Sequence, residues 1–228
     1  MDVDLRRQML AYYNERAPEY EEAYIRGTGT SSIHDPKVFI TEAVVLGEIV
    51  SRCVSGRVLD LACGTAYWLK DYAHNCSHVT LIDQSERMLA ECRSKVEGFG
   101  CSDRCSLVQA DFFQYSFPPN AYDWAVVGFF LSHLTKEQEI LLFDALKLTL
   151  GAAGQFLILD SAWSPMRART NTQIENQLRR LNDGTEFRIY KRYLDGGEIH
   201  SWQETYGVTV EVDYLGDAFC AVRGRFQA

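Results

Sequence analysis

Apolar positions recur along this chain with two alternating periods. Leu5, Met9, Tyr12, Tyr13, Tyr20 and Tyr24 fall at mostly helical spacing and predict an opening helix over 5–24. A Gly/Ser/Thr link follows at 27–32. Asp35-Pro36 then supplies a cap and first position for a helix reaching about Cys53. Short apolar runs at 57–61, 78–82, 105–110, 122–130 and 155–159 predict strands. Between them, helices are predicted at 65–74, at 85–98 behind the Ser85 cap, and from the Thr135/Gln138 capping box to just before Gly151. The run at 122–130 is almost wholly apolar, as a parallel strand covered on both faces must be. Strand and helix in alternation predict an α/β fold with a doubly wound, mostly parallel sheet. The pattern changes at the end: 208–214 alternates, Gly216-Asp217 turns, and 219–226 returns, a closing hairpin that brings the strands to seven. An insertion at 161–194 precedes the helix near Asp195, and Asn182-Asp183-Gly184 divides it into an expected helix and an extended piece at 187–193.

One stretch carries the candidate chemistry. Val58-Leu59-Asp60-Leu61 is a strand, Ala62-Cys63-Gly64-Thr65-Ala66 a turn of small residues, and Tyr67-Trp68-Leu69 the opening of a helix. Strand, tight turn and helix form the unit with which doubly wound sheets hold a nucleotide. Gly64 lets the backbone lie close to a ligand, and the helix start offers N–H groups to an anion. About twenty residues on, Asp83 ends the second strand, where a carboxylate can accept both ribose hydroxyls. Asp111 follows the third strand, so three acids meet at one edge of the sheet.

Composition narrows the class. With 228 residues, 46% hydrophobic and 24% charged, the chain can bury one large core. No apolar run reaches membrane-spanning length and the N-terminus has no signal-peptide stretch, so a cytoplasmic protein without membrane contact is expected. A net charge of −8 disfavours nucleic-acid partners. The insertion departs from this balance: it holds seven basic side chains, among them Arg188 and Arg192, against three acidic ones. They form either a solvated face or a recognition surface for an acidic acceptor or partner. Seven scattered cysteines read as reduced thiols, and Cys101/Cys105 lack the second pair that a zinc site needs. Asp160 alone does not make a magnesium site, so no metal is expected.

Asp60-Leu61-Ala62-Cys63-Gly64-Thr65-Ala66, Asp83-Gln84-Ser85 with Met88, and Ala110-Asp111-Phe112 resemble the class I S-adenosylmethionine-dependent methyltransferases. So do Tyr12-Tyr13-Asn14-Glu15-Arg16-Ala17-Pro18-Glu19-Tyr20 at the start and Ser132-His133-Leu134 after the fourth strand. The resemblance implies a Rossmann-like methyltransferase fold, an antiparallel last strand, and a single domain over 1–228. In that domain 1–34 form a lid helix and link, and 161–194 cover the substrate side. It implies S-adenosylmethionine as cofactor, with S-adenosylhomocysteine as product. Asp60, Ala62 and Gly64 would lie along its methionine part, Asp83 at the ribose, and Met88, Asp111 and Phe112 at the adenine, with Thr65 and Gln84 in the same cofactor set. Tyr20 and Phe129 complete the cofactor set as aromatic walls, though core packing also explains such rings.

Tyr13, Phe130, Trp163, Arg188 and Arg192 are the candidate acceptor contacts. His133 lies in the turn facing the cofactor edge, either as a base active near neutral pH or as an ordering residue; Tyr13 and His34 are the reserve bases. The fourth strand lacks the Asn/Asp-Pro-Pro-aromatic signature of methyltransferases acting on exocyclic or amide nitrogens. The expectation is a small-molecule O- or C-methyltransferase, monomeric or homodimeric. Two alternatives stand beside it: a non-catalytic S-adenosylmethionine-binding scaffold, and a nicotinamide-dependent oxidoreductase, whose Gly-x-Gly-x-x-Gly pattern this loop does not match.

Overall fold

The computed structural model describes residues 3–28, 35–169 and 171–227. Seven strands form one sheet: β1 (Gly56–Leu61), β2 (Cys76–Asp83), β3 (Cys105–Gln109), β4 (Tyr122–Gly128), β5 (Leu150–Ser161), β8 (Val208–Leu215) and β9 (Phe219–Phe226). Their order is β3-β2-β1-β4-β5-β9-β8, and β9 alone runs against the others. The sequence order reverses between β1 and β4, which opens a crevice at the carboxyl ends of these strands.

Helices cover both faces. α3 (Pro36–Cys53), α4 (Leu69–Tyr72) and α5 (Glu86–Gly98) enclose one apolar cluster that includes Leu46, Val58 and Leu81. α6 (Lys136–Thr149) and α7 (Gly196–Tyr206) enclose the other, around Leu59, Phe156 and Trp202. Val58 and Leu59 fall on opposite faces because successive strand side chains alternate. The caps expected at Asp35, Ser85 and Thr135 all form; at Thr135 the Gln138 side chain also reaches back to the cap N–H.

Three expectations are corrected. The helix expected at 65–74 is only the short α4 with a 3₁₀ turn after it, because Cys63–Trp68 are held as a loop by turn hydrogen bonds. The opening helix divides at Pro18 into α1 (Val3–Arg16), a 3₁₀ turn and α2 (Glu22–Ile25). Among the described residues the insertion contains no α-helix before its break, only a 3₁₀ turn at Arg167–Arg169. The insertion then forms an antiparallel hairpin of β6 (Ile174–Arg180) and β7 (Glu186–Arg192), turning through Gly184 at φ +91°. Its buried face holds Gln177, Arg179, Ile189 and Lys191. Polar residues on the inward side erase the period-2 contrast by which a half-buried strand is recognised.

The hairpin joins α1 to roof the sheet's carboxyl edge. Tyr12 packs with Leu181 and Ile189, and Gln8 accepts from the Arg188 backbone N–H at 3.1 Å.

Candidate functional site

Two cavities lie under this roof. The larger, about 110 Å³, sits at the ends of β1 to β4. Of the residues singled out in the sequence, Tyr13, Tyr20, Ala62, Gly64, Asp83, Gln84, Met88, Asp111, Phe112, Phe129, Phe130 and His133 line it. The smaller, about 60 Å³, shares Tyr13, Tyr20, Phe129 and His133 with the first.

The loop between β1 and α4 is bent into shape. Ala62, Gly64 and Ala66 have φ of +54°, +57° and +54°, and across the crevice Phe129 has +55°. A left-handed backbone costs a non-glycine residue about 1–2 kcal/mol, so three such residues at one edge mark stored strain. Asp83 holds the loop: one oxygen accepts from Gly64 N–H at 2.9 Å and the other from Ser85 N–H at 2.8 Å. Burial raises the Asp83 pKa, while these N–H groups pull it back. Glu21 accepts from the Thr65 hydroxyl at 2.7 Å and pairs with Lys95, tying the loop to α2 and α5. At the mouth, Arg6 of α1 donates to Asp111 at 2.5 Å and lies over the Phe113 ring.

Where the cavities meet, Tyr13 and His133 are in contact. His133 Nδ1 lies 2.8 Å from the Tyr190 carbonyl oxygen, so Nδ1 carries the proton and Nε2 accepts from the Tyr13 hydroxyl at 2.6 Å. Burial, then Lys191, pushes the His133 pKa well below its ordinary value, so the ring is a neutral acceptor at neutral pH. Burial likewise raises Tyr13 well above the usual phenol range.

Several expected residues are not brought to the site. Asp60 is buried and turned to the Tyr72 hydroxyl, 2.5 Å away. Thr65 faces Glu21 and lines neither cavity. Trp163 packs near the Tyr193 ring, 6.0 Å between centroids, and also lines neither. Arg192, 1% exposed, is enclosed by Glu139 and Glu198 and donates to the Leu134 carbonyl at 2.9 Å. Arg188 lines neither cavity, because alternation along β7 sends it to the opposite face from Lys191. His34 lies outside the described residues.

The structure adds four cations that sequence reasoning had not placed at the site: Arg16, Arg167, Arg179 and Lys191 line the smaller cavity. The insertion's positive balance was the only signal for Arg167, Arg179 and Lys191; Arg16 comes from α1.

Asp60 offers a measurement of its own. Burial raises its pKa to about 7, opposed by the Tyr72 hydrogen bond. A raised carboxyl pKa stabilises the fold below the unfolded value and loses that contribution as pH climbs through the folded one. The stability of Asp60→Asn relative to the parent is therefore expected to improve between about pH 4 and about pH 8. Urea midpoints measured across that range test this, and a difference independent of pH would sink the assignment.

A nucleotide-type loop, an acid ending β2, aromatic walls and an antiparallel β9 define a Rossmann-like fold of the methyltransferase kind. The comparisons agree. Residues 58–154 match the methyltransferase domain family. The ubiquinone/menaquinone biosynthesis C-methyltransferase UbiE of Pseudomonas fluorescens is 32% identical over 107 residues, 46% of this chain and 41% of that protein. A phosphatidylethanolamine N-methyltransferase of Cereibacter sphaeroides is 40% identical over 84 residues, 37% of this chain and 40% of that protein. The chain thus spans about two fifths of the length of these curated relatives. The solved DhpI-SAM-HEP complex superposes with a TM-score of 0.77 at 21% identity, covering 99% of both chains; at that identity the likeness speaks for the fold. Residues 58–154 are thus similar to a methyltransferase domain, and the chain has the fold of solved S-adenosylmethionine-dependent methyltransferases. Among the described residues no helix is long and apolar enough to cross a membrane.

Proposed function

We propose that this chain transfers the methyl group of S-adenosylmethionine to a small-molecule acceptor, the cofactor lying in the larger cavity and the acceptor entering from the smaller. Asp83 carries the reading. One carboxylate fixes the strained loop and the α5 cap from two sides and borders the cavity, where a ribose diol needs an acceptor.

The remaining lining fits the same cofactor. Ile82, Met88 and Phe112 form an apolar slot for a purine, and Asp111 stands at its edge to accept from an exocyclic amine. Tyr20 and Phe129 present rings to a sulfonium cation. When bound, the cofactor supplies an electrophilic methyl carbon.

The protein's own contribution is position, dryness and one proton path. α1 and the hairpin act as a lid that keeps water from the junction. The Tyr13 oxygen takes a proton from the acceptor while its own proton passes to His133 Nε2, and Tyr190 holds the ring by Nδ1. This path favours an oxygen acceptor, since a hydroxyl must shed a proton to become a good nucleophile. A carbon acceptor is the second reading, favoured by the likeness to a quinone C-methyltransferase. Labelled methyl transfer to hydroxyl and activated-carbon acceptors separates the two.

Asp83→Ala is expected to weaken S-adenosylmethionine binding by about 1.5–3 kcal/mol, the range for hydrogen bonds to a charged group. Calorimetry measures it directly, and an unchanged affinity would remove Asp83 from the cofactor site.

A further inference from the structure

The smaller cavity has an unusual charge for a protein of net charge −8. Arg16, Arg167, Arg179 and Lys191, residues that are 8%, 2%, 8% and 5% exposed, line it, and no carboxylate is among its described lining residues. Asp160 lies behind Lys191 at 3.7 Å, but its oxygens also accept from Ser132 N–H and Ser161 N–H, both below 3 Å. Glu42, toward Arg167, is committed to three backbone N–H groups at Asp217, Ala218 and Phe219. Arg16 donates to the Tyr12 hydroxyl and Arg167 to the Ala218 carbonyl at 2.7 Å, but these acceptors are neutral, so four positive charges converge on one small space that an entering anion would stabilise. Guanidinium groups converge in this way on planar or tetrahedral oxyanions, to which they donate in pairs.

We propose that this cavity binds an oxyanionic group of the acceptor, phosphoryl or carboxylate, and so makes negative charge the acceptor's required feature. The proposal rests on the methyltransferase reading for the word acceptor, though the anion site stands on its own geometry. The cavity adjoins Tyr13, His133 and Phe129, so an anion held there sets the rest of a small molecule at the junction. Every cation belongs to the roof or its supports: Arg16 to α1, Arg179 to β6, Lys191 to β7, and Arg167 to the 3₁₀ turn before them. The anion thereby also fastens the lid.

The groups around Lys191 supply an independent signature. Arg16, Arg167, Arg179, His133 and Tyr193 share its cavity, Asp160 backs it, and the Ser132 hydroxyl accepts from it at 2.5 Å. Burial lowers its pKa to about 7, with the two hairpin-side arginines adding to the effect against Asp160. An entering anion offsets that field, so at about pH 8 binding is expected to take up protons, up to about one from this group.

The test is calorimetric titration of the full chain, saturated with S-adenosylhomocysteine, with inorganic phosphate, methylphosphonate and acetate, chloride as control. Buffers of different ionisation enthalpy report the proton uptake. Saturable binding with proton uptake is expected, weakened roughly 10-fold or more by Arg179→Gln and by Lys191→Gln, with S-adenosylhomocysteine affinity little changed. Tighter phosphate and methylphosphonate assign a phosphoryl acceptor, and tighter acetate a carboxylate. No saturable binding of any of them above chloride overturns the proposal, as does binding indifferent to both substitutions. If either variant fails to fold, the proton uptake of the parent decides: binding without it overturns the site. A parent that binds phosphate with uptake but not S-adenosylhomocysteine keeps the anion site and loses the methyltransferase reading.

Discussion

His133→Gln is expected to slow single-turnover methyl transfer roughly 10²–10⁴-fold, the usual worth of a positioned proton acceptor. The hydrogen bonds set the reason. The Tyr190 carbonyl accepts a hydrogen bond from Nδ1–H and leaves Nε2 as the ring's acceptor for Tyr13, so the ring is in the one tautomer that can receive the Tyr13 proton. Tyr13→Phe removes the other half of the path and should give a similar loss, with the double variant little worse than either single one. The pH profile sharpens the test. Burial and Lys191 hold the imidazole well below its ordinary pKa, so the rate is expected to stay flat through neutral pH. Its acidic limb should lie below the ordinary imidazole value of about 6.5. Rapid-quench measurement of transfer with the best acceptor reads both features. A variant that keeps rate and profile would leave His133 as a loop-ordering residue only.

Arg192→Leu is expected to destabilise the fold by about 3–5 kcal/mol, with cofactor affinity of the folded protein unchanged. Arg192 is 1% exposed and paired with Glu139, itself 1% exposed, and with Glu198; Lys136 also reaches both acids. Removing the guanidinium strands a buried carboxylate, which costs far more than the ion pair gains over an apolar replacement. Arg192→Lys should recover part of the loss, because one ammonium cannot reach both acids and the Leu134 carbonyl. A double replacement of Arg192 and Glu139 by apolar residues should sit nearer the parent than Arg192→Leu alone. Urea unfolding measures all of these, and a loss under about 1 kcal/mol would show the pairing of Arg192 to contribute no more than an exposed ion pair.

The contrast between Arg192 and Arg179 marks how far the residues alone could be read. Both sit in the basic insertion, whose charge left both a solvated face and a recognition surface open. Which arginine faces acids and which faces a cavity depends on the hairpin register, with Arg180 opposite Glu186 and Ile174 opposite Arg192. No local pattern encodes that register, because the inward positions are polar.

The loop and the acids that border the larger cavity were legible from the chain by itself. Val58 to Ala66, Asp83 and Asp111 are bound to one another by short-range rules: strand periodicity, a turn of small residues, and acids at strand ends. Gly64 and Asp83 bond across 19 residues through two adjacent parallel strands joined by a short crossover. The tertiary structure decided the rest. It turned Asp60 to Tyr72, brought Tyr13 to His133 across 120 residues, and gathered Arg16, Arg167, Arg179 and Lys191 from four segments into one cavity. Such contacts are set by how the roof packs on the sheet, a global balance of buried area and charge that leaves no local periodicity to read.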